Sequence, residues 1–483
     1  MAKLSEKIGY GLGDMSSSMF WKIFTYYLPF FYTNVFGLTL KDAGMLLLIT
    51  KLWDAVYDTF IGVAADRTET RWGKYRPYIL WVAIPFAVVG VLTFTAPNFD
   101  TYTTKLVYAY VTYILMMMVY STLNVPYGAM LGVLSADPKE KTVFSSFRMF
   151  FAYGGSFLSI AMFEPLCRFF GGSVSDAGSN VTPEAQAAAW QYTMIVISSL
   201  CAVLFFLCFF MTKENVKPIN ETSEGENTIG SDIKSLLHNV GWWVLLGAGL
   251  ASVFFNSIRG GAAAYFFKDY IGTADTTLIA AIGLMLSCAV FLSVGEISNM
   301  IGVVLAVPVS ARFGKKWTYI GAMLITTLLS IAFYYVPTTT GGFWSMLILQ
   351  IVISACAGIT FPLLWSMFAD VADWSEYTNG HSSTGLIFSS NSMAQKFGGA
   401  FGSALVLWLL AAFDYQTPDA LEQAGIAVDG FVQSDTAKTG LNLLMSWIPA
   451  ATSLVAAIVA IFYPLSDQRV AEIAAELEAK RNN

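Results

Sequence analysis

The chain has 483 residues, of which 56% are hydrophobic and only 12% charged, with a net charge of -6 at pH 7. Soluble domains carry about 25% charged residues, so this composition excludes an ordinary soluble enzyme and places the chain in a membrane. No basic block offers a surface for nucleic acid. The five cysteines (Cys167, Cys201, Cys208, Cys288, Cys356) are scattered through apolar segments without metal-ligand spacing and read as small core hydrophobes.

In chain order, the opening "MAKLSEKIGYGLGD" lacks a short apolar region with a small-residue cleavage site, so the first span is expected to be retained. Runs of about 20 or more mainly apolar residues predict membrane spans. They fall near 15–36, 42–64, 77–97, 104–134, 143–170 and 187–212, then near 240–271, 290–312, 317–337, 343–369, 384–413 and 439–466. The run from 276 to 312 is too long for one span, which predicts an extension outside the bilayer or a tilted helix. An even number of spans puts both termini on one side. That side holds Lys3, Lys7, the cluster from Arg67 to Arg76, Lys213, Arg312 and Lys315, whereas the other holds only Lys41, Lys105, Arg168, Lys268 and Lys438. Positive charge marks the cytoplasmic side, so both termini are expected there, in a bacterial inner membrane.

The polar stretch "KENVKPINETSEGENTIGSDIKS" has the composition of a flexible linker and splits the spans six and six. The predicted organisation is therefore 1–212 as one six-helix half, 213–236 as a cytoplasmic linker, 237–466 as the second half and 467–483 as an amphipathic cytoplasmic tail. "RWGKYRPYI" after span 2 and "RFGKKWTYI" after span 8 form a weak internal repeat. A two-half transporter has this symmetry, with its site where the halves meet.

Charges inside the spans point to function, because each costs at least a few kcal/mol there. Span 2 carries Lys51, Asp54 and Asp58; the two aspartates are i and i+4 and share a helix face. One reading is a buried ion pair that holds the span in place. The other is a cation site, since one lysine cannot neutralise two carboxylates and oxygen ligands suit Na⁺, Li⁺ or H⁺. Span 4 places Ser121 and Asn124 beside Pro126. Arg148 in span 5 reads either as a cavity residue or as an interfacial side chain reaching for water. Lys396 in span 11 lies about 18 Å along its helix and cannot easily reach the interface; Asn391 and Ser392 precede it. Lys22 and Arg259 are weaker candidates. Trp21, Tyr26, Tyr120 and Phe361 are aromatics able to stack on a sugar ring.

The motifs "GYGLGDMSSS", "FFYTNVFGL", "WDAVYDTFIG", "DRTETRWGKYRPYIL", "NVPYGAM", "ADVADWSEYTNG" and "QKFGGAFG" extend through both halves. On these the chain resembles the glycoside–pentoside–hexuronide:cation symporters of the major facilitator superfamily, the group that includes melibiose permease. The resemblance implies an all-α membrane protein with twelve transmembrane helices in two six-helix halves. It also implies cation-coupled symport of a sugar or glycoside, a monovalent cation as partner, no cofactor and a monomer in the bilayer. The cation site falls on Asp54 and Asp58 with Ser121, and these two aspartates would hold Na⁺ as the metal. The sugar region falls on Arg148 and Lys396, with Ser18, Lys22, Asn124, Phe361, Asn391 and Ser392 as further candidates. Several positions depart from the family pattern. Tyr57 stands where an Asn usually precedes the second aspartate. Ser17 and Ser18 replace a Lys-Asp pair, Asn124 replaces an aspartate, Gly128 a tryptophan and Phe361 a second tryptophan. With those two acids gone, a uronate carboxylate becomes tolerable beside Arg148 and Lys396, and a neutral glycoside remains the alternative.

Other classes fit less well. "GGSF" resembles a hydrolase nucleophile pattern, but His238 and His381 lie at span ends or in loops and supply no base within the membrane. A lipid transporter of the same superfamily is the closer rival. The glycine-rich selectivity loops of a channel are absent.

Overall fold

The computed structural model describes residues 3–135, 138–174, 182–215, 236–271, 288–379, 384–428 and 431–481. Almost all of them are helical. The first half contributes α1 (Leu4–Tyr26), α2 (Leu40–Asp66), α3 (Arg76–Thr93), α4 (Tyr102–Leu134), α5 (Pro138–Phe169) and α6 (Pro183–Met211). The second contributes α7 (Val240–Phe266), α8 (Cys288–Phe313), α9 (Lys315–Tyr334), α10 (Thr340–Asn379) and α11 (Thr384–Ala412). The last span is broken into α12 (Asp435–Met445) and α13 (Trp447–Ile461), and the tail forms α14 (Asp467–Arg481).

Helix starts follow local chemistry. Thr39, Thr101 and Thr182 each cap a helix by accepting a backbone N–H through the side-chain oxygen, and Pro183 opens α6 where its missing N–H costs nothing. Ten of the described helical segments are long and apolar enough to cross a membrane. The two remaining spans are α1 and α2. Glycines, serines and Asp14 dilute α1, and the centre of α2 holds Lys51, Asp54 and Asp58. Together they complete the twelve-helix count.

Boundaries differ from the apolar runs for physical reasons. The first helix begins at Leu4 rather than near 15, because hydropathy sees only its apolar portion. Its polar start is helical because it packs along α5, where a Cβ on Gly155 would sit 2.3 Å from the Met15 carbonyl oxygen. The tenth span runs 40 residues, to Asn379 rather than 369. At about 1.5 Å per residue it outruns a hydrocarbon core of about 30 Å. The last span breaks at Ser446. Pro449 has no N–H for the Met445 carbonyl, and Nη1 of buried Arg259 donates to that carbonyl instead, while its Nε and Nη2 donate to Gln350 at 3.2 and 2.8 Å. Arg259 is thus held by a helix break. The predicted linker lies almost wholly outside the described residues, as does His381, and the long run from 276 is described only from Cys288 onward.

The chain forms two compact units. One comprises Met1–Glu221, Gly260–Ser293 and Ser403–Leu441, the other Thr222–Arg259, Val294–Gly402 and Asn442–Asn483. The second is built around Trp242, Leu245, Tyr319, Met323, Phe368 and Val371, and α14 packs on α10 through Ile473. Large apolar side chains such as Trp81, Phe150, Phe210, Val304, Leu328 and Ile348 are exposed, as lipid-facing surfaces require.

Each unit carries one copy of the loop repeat. In the first, Gly73 adopts φ +113°, and the Glu214 carboxylate accepts the backbone N–H groups of Lys74, Tyr75 and Arg76 at 2.8, 2.7 and 2.9 Å. In the second, Gly314 adopts φ +81°, and Asp467 accepts the N–H of Lys315 at 3.4 Å. An acid just beyond the sixth span therefore caps the helix after the second span in each copy, and negative charge there suits the helix N-terminus.

Candidate transport site

Helices α1, α2, α4 and α5, with Ser403 of α11, bring polar side chains together in the first unit. From α2 comes Asp54, only 2% exposed, and Ser121 on α4 donates to its Oδ1. Asp58 lies one turn further along α2 and is half-buried. The Tyr57 hydroxyl is 3.1 Å from Thr122 Oγ1 on α4, so it is turned toward the same neighbouring helix. Lys51 is buried, sits 5.9 Å above the Trp21 ring and donates to Ser403 Oγ at 3.2 Å.

A second charged group lies on α1 and α5. Arg148 Nε donates to Asp14 Oδ2 at 2.7 Å, with 27% of the arginine side chain and 11% of the aspartate side chain still accessible. The guanidinium lies 5.5 Å from the Tyr127 ring, which stacks on Tyr10 at 4.8 Å. Arg148 is therefore a largely buried residue with a partner rather than a side chain reaching for the interface. Tyr120 lies 6.0 Å from Trp21 between ring centroids. Both charged groups reach α4, the first at Ser121 and the second at the Tyr127 ring.

Ser18 is half-buried on α1, and Lys22 stacks over Tyr26 at 5.4 Å. The buried Asn124 Oδ1 has no hydrogen-bond partner among the described residues. In the second unit, Asn391 is 1% exposed and its Nδ2 likewise lacks a partner among the described residues. Lys396 is half-buried, Ser392 is exposed, and Phe361 is 42% exposed beside Trp365.

Asp14 escaped sequence reasoning. It stands in "GYGLGD", ahead of the apolar run, and the boundary set at 15 left it outside the first span. Its spacing of four residues from Ser18 was the available signal, because the two positions share a helix face.

Twelve spanning helices with acids buried inside the second define a polytopic transporter of the major facilitator fold. The xylose transporter XylE of Escherichia coli has that fold, with a TM-score of 0.58 over 98% of both chains at 14% identity. A model of the family described as MFS/sugar transport protein matches residues 9–467, so the chain belongs to that family and is a transporter, not an enzyme. It is 32% identical to the putative glycoside/cation symporter YagG of Escherichia coli, over 98% of this chain and 95% of the relative. It is 31% identical to the isoprimeverose transporter of Lactiplantibacillus pentosus, over 99% of this chain and 92% of the relative.

Proposed function

We propose that the chain couples uptake of a neutral glycoside to a monovalent cation, working as a monomer with both termini in the cytoplasm. The assignment of 1–212 and 237–466 as its two moving halves, joined by the 213–236 linker, belongs to the same proposal. One observation carries it: a carboxylate buried to 2% inside a membrane span, bonded to a hydroxyl from another helix, with a second carboxylate one turn away. Asp54, Asp58 and Ser121 supply hard oxygen ligands for Na⁺ or Li⁺, and the carboxylates can equally take a proton. Tyr57, turned to Thr122, shapes the wall of that site. Na⁺ is the favoured ion because the Ser121 hydroxyl adds a neutral oxygen that a proton would not need.

Ser18, Lys22, Asn124 and Arg148 of the first unit are assigned to glycoside binding, as are, in the second unit, Phe361, Asn391, Ser392 and Lys396. The buried amide atoms of Asn124 and Asn391, without a partner among the described residues, support this. A buried polar atom left unmet costs about 1–3 kcal/mol, which a sugar hydroxyl would offset. The Arg148–Asp14 pair supports a neutral substrate. Arg148 carries a matched charge, so the case for a uronate loses its strongest cation, and Asp14 is placed to accept hydrogen bonds from sugar hydroxyls. Counterflow of a radiolabelled glycoside in proteoliposomes tests the reading. Saturable exchange is expected, and none across a panel of pentosides, glucosides and glucuronides would overturn it.

A further inference from the structure

Arg259 on α7 is only 5% exposed, and among the described residues no carboxylate pairs with it. An arginine inside a membrane span ordinarily meets an acid or lines a water-filled path. Here its partners are neutral. Gln350 Oε1 accepts from Nε at 3.2 Å and from Nη2 at 2.8 Å, and the Met445 carbonyl accepts from Nη1. The Phe333 ring lies 4.7 Å from the guanidinium, and Gln350 is fixed in turn by its Nε2, which donates to Ser354 Oγ at 3.1 Å.

Met445 is the last residue of α12, so its carbonyl belongs to the open, partly negative end of a helix. Ser446 leaves helical geometry at φ −129° and ψ −91°, and Pro449 offers no N–H to carry the ladder across. Two more carbonyls of that end are met locally: Ser446 donates its hydroxyl to the Asn442 carbonyl and its N–H to the Leu443 carbonyl at 3.2 Å. Asn442 adds a tie of its own, its Nδ2 donating at 3.1 Å to the carbonyl of Tyr334 at the end of α9. Arg259 therefore finds its countercharge in a helix end, where backbone alone favours a cation. Both residues also stand where the chain passes between its two compact units. Arg259 ends one segment of the second unit, and Met445 closely follows the crossing at Leu441 and Asn442.

We infer that the break at Ser446 is a hinge for the transport cycle, and that Arg259 is its positioning residue, a tethered cation that pins the open end of α12 to α7 and α10. The inference rests on the proposed transport reading. An unbroken last span would need neither the proline nor a buried charge, since every backbone group would be met within its own helix. Burying a guanidinium without an acid is unfavourable, so a straight span would be the more stable arrangement. The bond that Pro449 withholds leaves the joint able to bend. A cation that is part of the chain cannot leave during the cycle, unlike the ion assigned to Asp54 and Asp58. The pivot stays fixed while α12 and α13 change direction about it.

The test uses the full-length chain, reconstituted for glycoside counterflow and purified for thermal unfolding. Arg259→Gln removes the charge and should lower the melting temperature by about 5 °C and turnover by about five- to tenfold. Arg259→Lys, which keeps the charge, should retain most of both. Pro449→Ala gives the Met445 carbonyl an N–H from its own helix. Added to Arg259→Gln, it should restore the melting temperature without restoring turnover. Alone, it should slow turnover by a similar factor with KM unchanged. A clamp with only a structural role predicts instead that stability and turnover recover together in the double variant. That joint recovery would overturn the inference, and so would a double variant no more stable than Arg259→Gln, or wild-type turnover in Pro449→Ala. Should Arg259→Gln fail to fold, Pro449→Ala alone decides. Melting temperatures need no substrate, so a wild type without counterflow counts against the glycoside assignment, while the stability comparison still reports on the clamp.

Discussion

Arg148 on α5 donates its Nε–H to the carboxylate of Asp14 on α1 at 2.7 Å, and neither side chain is fully sealed from solvent. Removing one partner leaves a charge largely buried and unmatched. Asp14→Asn or Arg148→Gln should each lower stability by about 2–4 kcal/mol, at or below the range for fully buried pairs. The double variant should regain much of that stability without regaining uptake. Thermal unfolding of the purified protein and uptake in vesicles, measured in parallel, check both halves of the prediction.

On the proposed reading the same pair sets substrate charge. A neutral glycoside should compete for uptake better than its glucuronide counterpart. In Asp14→Asn, Arg148 loses its carboxylate partner, so the glucuronide should become the relatively better competitor. Competition assays on both forms read this directly. A wild type that prefers the glucuronide would show that Arg148 and Lys396 act as carboxylate receptors.

Coupling to Na⁺ makes a separate forecast. Uptake should rise on adding Na⁺ at constant pH. Ser121→Ala should raise the Na⁺ concentration for half-maximal uptake by about five- to tenfold, the loss of one oxygen ligand worth about 1–1.4 kcal/mol. Uptake driven by a proton gradient in sodium-free buffer, with no gain from Na⁺, would assign the site to H⁺ instead.

The loop repeat predicts a stability effect far from the site. Gly73 has φ +113°, and a Cβ there would lie 2.4 Å from the Glu214 Cδ. Gly73→Ala should destabilise by about 1–3 kcal/mol, and Gly314→Ala by a similar amount in the second unit. Glu214→Ala should weaken the same loop by removing the acceptor of three backbone N–H groups. Melting temperatures of the three variants test the equivalence of the two copies.

Much of this was legible in the sequence, and the exceptions have causes. The spans could be found because lipid demands long apolar helices. Asp54 and Asp58 stood out because charge inside such a run is expensive. Asp14 did not, because it occupies the polar start of a helix that hydropathy truncates. The partners of Arg148, Arg259 and Glu214 are distant in sequence, and no local period announces them.

The most direct test of cation coupling at Asp54 compares two assays on one pair of variants. Asp54→Asn and Asp58→Asn are reconstituted in proteoliposomes, then assayed for gradient-driven accumulation and for counterflow of the same glycoside. The predicted result is loss of accumulation in both variants with counterflow retained, since substrate exchange needs no cation gradient. Normal accumulation in both would contradict a cation site there and leave Asp54 as part of a structural ion pair with Lys51.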